Sequence, residues 1–89
     1  MKNFDIAEHL KSEQDCLVFL QEVARSGTAE EIIHALGIVA RAKGMTQIAE
    51  RLGVSRTSLY KSLSEEGNPA FETIFNVAKA CGLRISFES

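Results

Sequence analysis

An all-α domain of about five short helices, followed by a short C-terminal strand, is the fold class this sequence predicts. Three observations lead there. Apolar residues recur at helical spacings of three and four through most of the chain. Gly27, Gly44, Gly53 and Gly82 stand where those stretches stop. Residues 83–88, Leu-Arg-Ile-Ser-Phe-Glu, instead alternate apolar with polar, the signature of a strand. With 89 residues, 45% hydrophobic and 25% charged, the chain suits one small globular domain spanning 1–89. It shows no internal repeat, low-complexity run or interdomain linker.

The elements follow in order. Asp5 can cap a short turn over Ile6 to Leu10. Ser12 starts a helix, with Asp15 as its reciprocal partner and Gly27 as its end. Its apolar stripe is Cys16, Leu17, Phe19, Leu20 and Val23. Thr28 and Glu31 form a capping box for the next helix, whose core side is Ile32, Ile33, Leu36, Val39 and Ala40. Gly44 stops it. Residues 46–52 and 55–63 form two further helices around a tight turn. Ala49 is small enough for a close helix crossing, Gly53 supplies positive φ, and Val54 is expected to plug the turn against the core. Ser55 caps the second of these helices, and Leu59 and Leu63 face inward. Residues 64–69, Ser-Glu-Glu-Gly-Asn-Pro, make a polar loop. A last helix runs from about Ala70 to Cys81, with Phe71, Ile74, Phe75, Val77 and Ala78 as its apolar positions. The strand at 83–88 has no partner in its own chain, so pairing in a homodimer or with another protein is expected, with a frayed tail as the alternative.

Composition narrows the function classes. No run approaches the roughly 20 apolar residues of a membrane span, and the first residues lack a secretory apolar stretch, so a cytoplasmic protein is expected. In that reducing compartment Cys16 and Cys81 read as small buried hydrophobes. Two Cys and two His at these spacings match no metal site, and no cofactor is expected. His9 and His34 lack convergent partners and read as packing or surface residues, and no nucleophile–base pair or phosphate-cradling loop suggests an enzyme.

The net charge of −2 is unevenly spread. Residues 1–31 carry seven acidic and three basic side chains, residues 41–61 five basic and one acidic, and residues 62–89 four acidic and two basic. A basic middle between acidic flanks suits a double-stranded DNA interface confined to one side, with ordinary surface mixing as the alternative.

Residues 45–63 concentrate that signal in a helix-turn-helix pattern. With Leu59 and Leu63 inside, Arg56, Thr57, Ser58, Tyr60 and Lys61 are left pointing outward, and none is acidic. Each can hydrogen-bond to phosphates or base edges. Arg56 can hold guanine, grip phosphate or pair with Glu50. Lys61 can meet phosphate or remain solvated. Tyr60 can lie along the DNA backbone or cover the core edge. Thr57 and Ser58 can touch bases or serve simply as first-turn helix residues. Asn68 suits a turn before Pro69, with phosphate contact as the alternative.

Residues 52–63, Leu-Gly-Val-Ser-Arg-Thr-Ser-Leu-Tyr-Lys-Ser-Leu, resemble the recognition half of many bacterial helix-turn-helix proteins, including the Fis type. A longer pattern is more specific: residues 4–10, Phe-Asp-Ile-Ala-Glu-His-Leu; residues 35–45, Ala-Leu-Gly-Ile-Val-Ala-Arg-Ala-Lys-Gly-Met; residues 60–69 with the Gly-Asn-Pro loop; and residues 80–83, Ala-Cys-Gly-Leu. Together they resemble the addiction-module antidote family, short antitoxins related to the HigA and phage-repressor (Xre/Cro-like) group. The resemblance implies a lambda-repressor-like fold, repression of the chain's own operon, and neutralisation of a co-encoded toxin, typically a small basic RelE/ParE-like protein. The matching DNA-facing positions are Ser55, Arg56, Thr57, Tyr60 and Lys61, with Thr46 and Gln47 at the start of the preceding helix. Phage repressors usually place two more residues between a Thr-Gln pair and the small Ala; here only Ile48 intervenes, which displaces Gln47 from the usual phosphate-contacting position. The acidic N-terminal helices can dock a basic toxin or stand as solvated faces. Two alternatives stay open: a dimeric prophage-type regulator without a toxin partner, and a protein-interaction module that no longer meets DNA.

Overall fold

The computed structural model describes residues 6–64 and 68–88 and is all-helical. A 3-10 turn at Ile6–His9 precedes five helices: α1 Glu13–Ser26, α2 Ala29–Lys43, α3 Met45–Leu52, α4 Arg56–Ser62 and α5 Phe71–Ala80. The proposed Asp5 cap lies outside the described residues.

Local hydrogen bonds explain the helix starts. Ser12 accepts from the Asp15 amide at 3.0 Å. The Asp15 carboxylate accepts from the Lys11 amide at 3.1 Å, one residue before the cap, so the reciprocal bond is displaced from Ser12 itself. At α2 the box is complete: the Glu31 amide donates to Thr28 Oγ1 at 3.2 Å, and the Thr28 amide donates to Glu31 Oε1 at 2.8 Å. Each such cap satisfies helix-terminal donors that otherwise lack partners.

The turn between α3 and α4 is a Schellman closure. Gly53 has φ 70°, and a Cβ there would meet nothing within 4 Å, so backbone conformation alone selects glycine. The Gly53 amide donates to Glu50 O at 3.2 Å and the Val54 amide to Ala49 O at 3.1 Å. Val54 is 44% exposed, which corrects the expectation of an apolar plug. Its amide closes the turn, and that geometry turns its isopropyl group away from the core. The same closure ends α5, where Leu83 N–H reaches Ala78 O at 2.9 Å.

α2 runs through the centre, packed against α1, α3 and α5. The core joins Cys16 of α1, Leu36, Val39 and Ala40 of α2, Met45, Ile48 and Ala49 of α3, Leu59 and Leu63 around α4, and Val77 and Cys81 around α5. Gly37 allows α2 to approach the end of α4: a Cβ there would lie 3.3 Å from both Leu63 Cβ and Leu63 O. Burial pushes the Cys81 thiol from 9.0 up to about 11, with the Lys43 charge opposing, and raises Cys16 as well. Both cysteines are therefore buried and protonated at neutral pH, as small apolar core residues should be.

Two expected stripes are wider than what covers them. On α1, Leu17 is 38% exposed, leaving Cys16 as the fully buried member. On α5, Phe71 is 64% and Phe75 39% exposed, whereas Val77 and Ala78 are buried.

The C-terminal strand does not form: residues 83–88 carry no strand among the described residues. Leu83 returns its amide to α5, and among the described residues positions 84–88 make no backbone hydrogen bond. Leu83 and Ile85 are half-buried while Phe87 is 89% exposed, so part of the alternation survives as side-chain burial in an extended tail beside the start of α1.

Candidate nucleic-acid interface

The outward side of α4 is built from its cap outward. Ser55 Oγ accepts from the Ser58 amide at 3.0 Å, which starts the helix and occupies one lone pair. Its hydroxyl proton can still be donated to a phosphate oxygen. Leu59 and Leu63 then face the core, at 2% and 4% exposure. That choice of inward side leaves Arg56, Thr57, Ser58, Tyr60 and Lys61 exposed, as their spacing predicts.

Arg56 ties the two helices together. Its Nη1 donates a long 3.5 Å hydrogen bond to Thr46 Oγ1 in the first turn of α3. Its guanidinium carbon lies 5.6 Å from the centroid of the Tyr60 ring, one turn further along α4. These contacts take Arg56 to Thr46 and Tyr60 rather than to Glu50. They hold a planar five-donor group in the open, with donors left over for an acceptor from outside. Thr57 and Lys61, four residues apart, share the outermost line of α4.

Tyr60 is 38% exposed. It borders a groove between α4 and α2 lined also by His34, Ile38, Arg41 and Leu63. Arg41 thus stands beside the α4 surface, although spacing alone did not single it out. Its one sequence signal is membership of the basic segment 41–61.

The structure separates Thr46 from Gln47. Successive residues of a helix lie about 100° apart around the axis. Thr46 faces α4, whereas Gln47 borders a shallow concavity with Glu13, Lys43, Arg51 and Cys81 on the other flank. Arg51 is on that flank as well, and its Nη1 donates to Ala80 O at 2.9 Å. There it satisfies a carbonyl at the end of α5 and complements that helix's dipole. Of the basic residues in the segment, Arg51 thus has a clear structural task. Asn68 is exposed, beyond the described end of α4.

A second groove, which meets the first at His34 and Ile38, differs in charge. This broad groove between α1, α2 and the 3-10 turn has Phe19, Val23 and Ile38 in its lining, with Glu30 and Glu31 beside them and, among the described residues, no Lys or Arg. Among the described residues no group of three or more His, Cys, Asp or Glu is placed to hold a metal ion, and no helix is long and apolar enough to cross a membrane.

Comparison with known proteins adds a family. The family model described as "Probable addiction module antidote protein" matches residues 1–89. A Haemophilus influenzae protein described as uncharacterized is 46% identical over 88 residues, covering 99% of this chain and 91% of its own length. No solved structure matches the chain.

Proposed function

This chain belongs to the family of probable addiction module antidote proteins, and we propose that it is an antitoxin that binds the operator of its own operon as a homodimer and neutralises a co-encoded toxin. Its α3–turn–α4 unit serves in this reading as a lambda-repressor-like helix-turn-helix of the HigA/Xre kind. α4 lies in the major groove of double-stranded DNA. Arg56 reads a guanine edge or grips phosphate, Thr57, Ser58 and Tyr60 contact bases or backbone, and Lys61, Ser55 and Thr46 meet phosphates. Gln47, on the opposite flank of α3, takes at most a peripheral part.

One observation carries the DNA reading: Arg56 stands in the open between Thr46 and Tyr60, with no carboxylate partner among the described residues. A guanidinium in that setting offers directed donors to an acceptor arriving from solvent. The family carries the antitoxin reading and a co-encoded toxin partner; in this reading that toxin is of the small, basic RelE/ParE-like type. The acidic groove at α1 and α2 has a charge suited to such a partner.

Two measurements test the proposal. Mobility shifts on the region upstream of the operon should show sequence-preferring binding that falls for Arg56→Ala. Binding that ignores both DNA sequence and Arg56 overturns the groove assignment. Co-expression with the neighbouring reading frame should yield a stable complex that relieves growth inhibition. A neighbour that neither inhibits growth nor co-purifies overturns the antitoxin assignment and leaves a plain regulator.

A further inference from the structure

The outer side of α5 is apolar where a solvated helix would be polar. Phe71 and Phe75, 64% and 39% exposed, stand four residues apart with ring centroids 6.3 Å from each other. Lys79 continues the stripe, its Nζ 5.6 Å from the centre of the Phe75 ring. The inner side of the same helix, with Ile74 and Val77, packs into the core against α2 and α3. Scattered exposed apolar residues are ordinary, but two adjoining rings on one helix form a contiguous patch.

Two charges along one flank of that patch are arranged to match a second copy of themselves. Glu72 and Lys79 are both exposed. Seven residues of helix separate them by about 10.5 Å along the axis and only about 20° around it. They therefore stand on one line, the acid near the start of the patch and the base near its end. An antiparallel α5 related by a two-fold axis brings each Glu72 opposite the second copy's Lys79, twice over. The same operation brings the two Phe75 side chains together between the ion pairs, with each Phe71 just outside them. A parallel two-fold would instead carry the two Glu72–Lys79 lines to opposite edges of the seam, where these charges would not meet. The ammonium over Phe75 would be costly to bury alone, and the antiparallel copy supplies its counter-charge.

We propose that this face is the homodimer surface, with two α5 helices packed antiparallel through Phe71 and Phe75 and locked in register by Glu72 and Lys79. The inference deepens the dimer part of the proposed function and rests on that part alone, without depending on DNA or toxin. It also moves the self-association surface from the tail at 83–88 to α5.

Light scattering on the full chain over a wide concentration series tests it without DNA. The wild-type chain should run as a dimer, and Phe75→Glu as a monomer with unchanged helical circular dichroism. Glu72→Lys and Lys79→Glu should each weaken self-association roughly tenfold, because the two-fold axis applies each change twice. The double variant carrying both changes should recover the dimer. A dimer that survives Phe75→Glu, or a charge-swapped double variant no better than the singles, overturns the α5 surface. If such a dimer is lost when residues 83–89 are removed, the tail holds it and the dimer reading stands. A wild-type monomer at every concentration overturns both.

Discussion

α4 follows a tight turn and α5 a polar loop, and each contributes apolar residues to the same core, yet their outer sides differ. On α4 the inward residues are Leu59 and Leu63, a strip about 40° wide that its neighbours cover completely. Outside stand Arg56, Thr57, Ser58, Tyr60 and Lys61, all able to hydrogen-bond. On α5 the apolar residues run from Val77 round to Phe75, an arc of about 160°. α2 and α3 cover one edge of that arc, and Phe71 and Phe75 are left outside. A helix whose apolar arc is wider than its neighbours' contact has surface to spare for a partner. A helix whose arc is fully covered presents only polar chemistry. The first pattern fits association with protein, the second with phosphate and base edges.

The largest test of this contrast is in the core. Leu59→Ala should cost about 2–5 kcal/mol of unfolding free energy, because Leu59 is 2% exposed and its truncation removes core contacts and opens a cavity. A urea titration that finds less than about 1 kcal/mol would mean that α4 is not anchored as described. The same core sets an alkaline limit. The folded Cys81 thiol titrates at about 11 against 9.0 for an ordinary thiol, so its contribution is fully present below pH 9.0 and is lost as pH rises toward about 11. Stability followed across that interval should fall, and replacing Cys81 with Ala should flatten the slope even though it lowers the baseline.

On the polar side, Arg56→Ala should weaken operator binding by about 1–3 kcal/mol and relax base preference, measured by fluorescence anisotropy with matched and altered sites. Its thermal unfolding should shift little, since the side chain is exposed and its bond to Thr46 is long. A capping exchange compares the two helix starts directly. α4 begins with a Ser55 side-chain cap, whereas α5 begins at Ala70 with no side-chain cap bond. Ser55→Ala should cost about 1 kcal/mol, and Ala70→Ser should gain up to about that amount at α5. The smallest effect belongs to Val54→Ser, within about 0.5 kcal/mol in denaturant, because its side chain is already in solvent. A loss of 2 kcal/mol or so there would restore the plug that the sequence suggested.

Much of the architecture was legible in advance because its signals are local. Ser12, Thr28 with Glu31, and Ser55 act on amides three residues away, and Gly53 and Gly82 mark helix ends through positive φ. Their meaning does not depend on what the rest of the chain does. The inward and outward sides of α4 followed from the same short-range logic. The site was partly legible. Arg56, Tyr60 and Lys61 stand where spacing put them, but the separation of Thr46 from Gln47 required knowing which flank of α3 meets α4.

What the chain's own order of residues determined, then, is where each helix begins and stops and which residues each could bury, since capping bonds and helical periodicity act within a few positions. Tertiary packing alone decided which of the candidate apolar groups were actually covered. It left Phe71, Phe75 and Val54 outside, brought Gly37 against Leu63, gave Arg51 the end of α5, and laid the tail beside α1 without a strand partner. Burial is a property of two surfaces in contact, and the second surface lies too far along the chain for any local pattern to announce it.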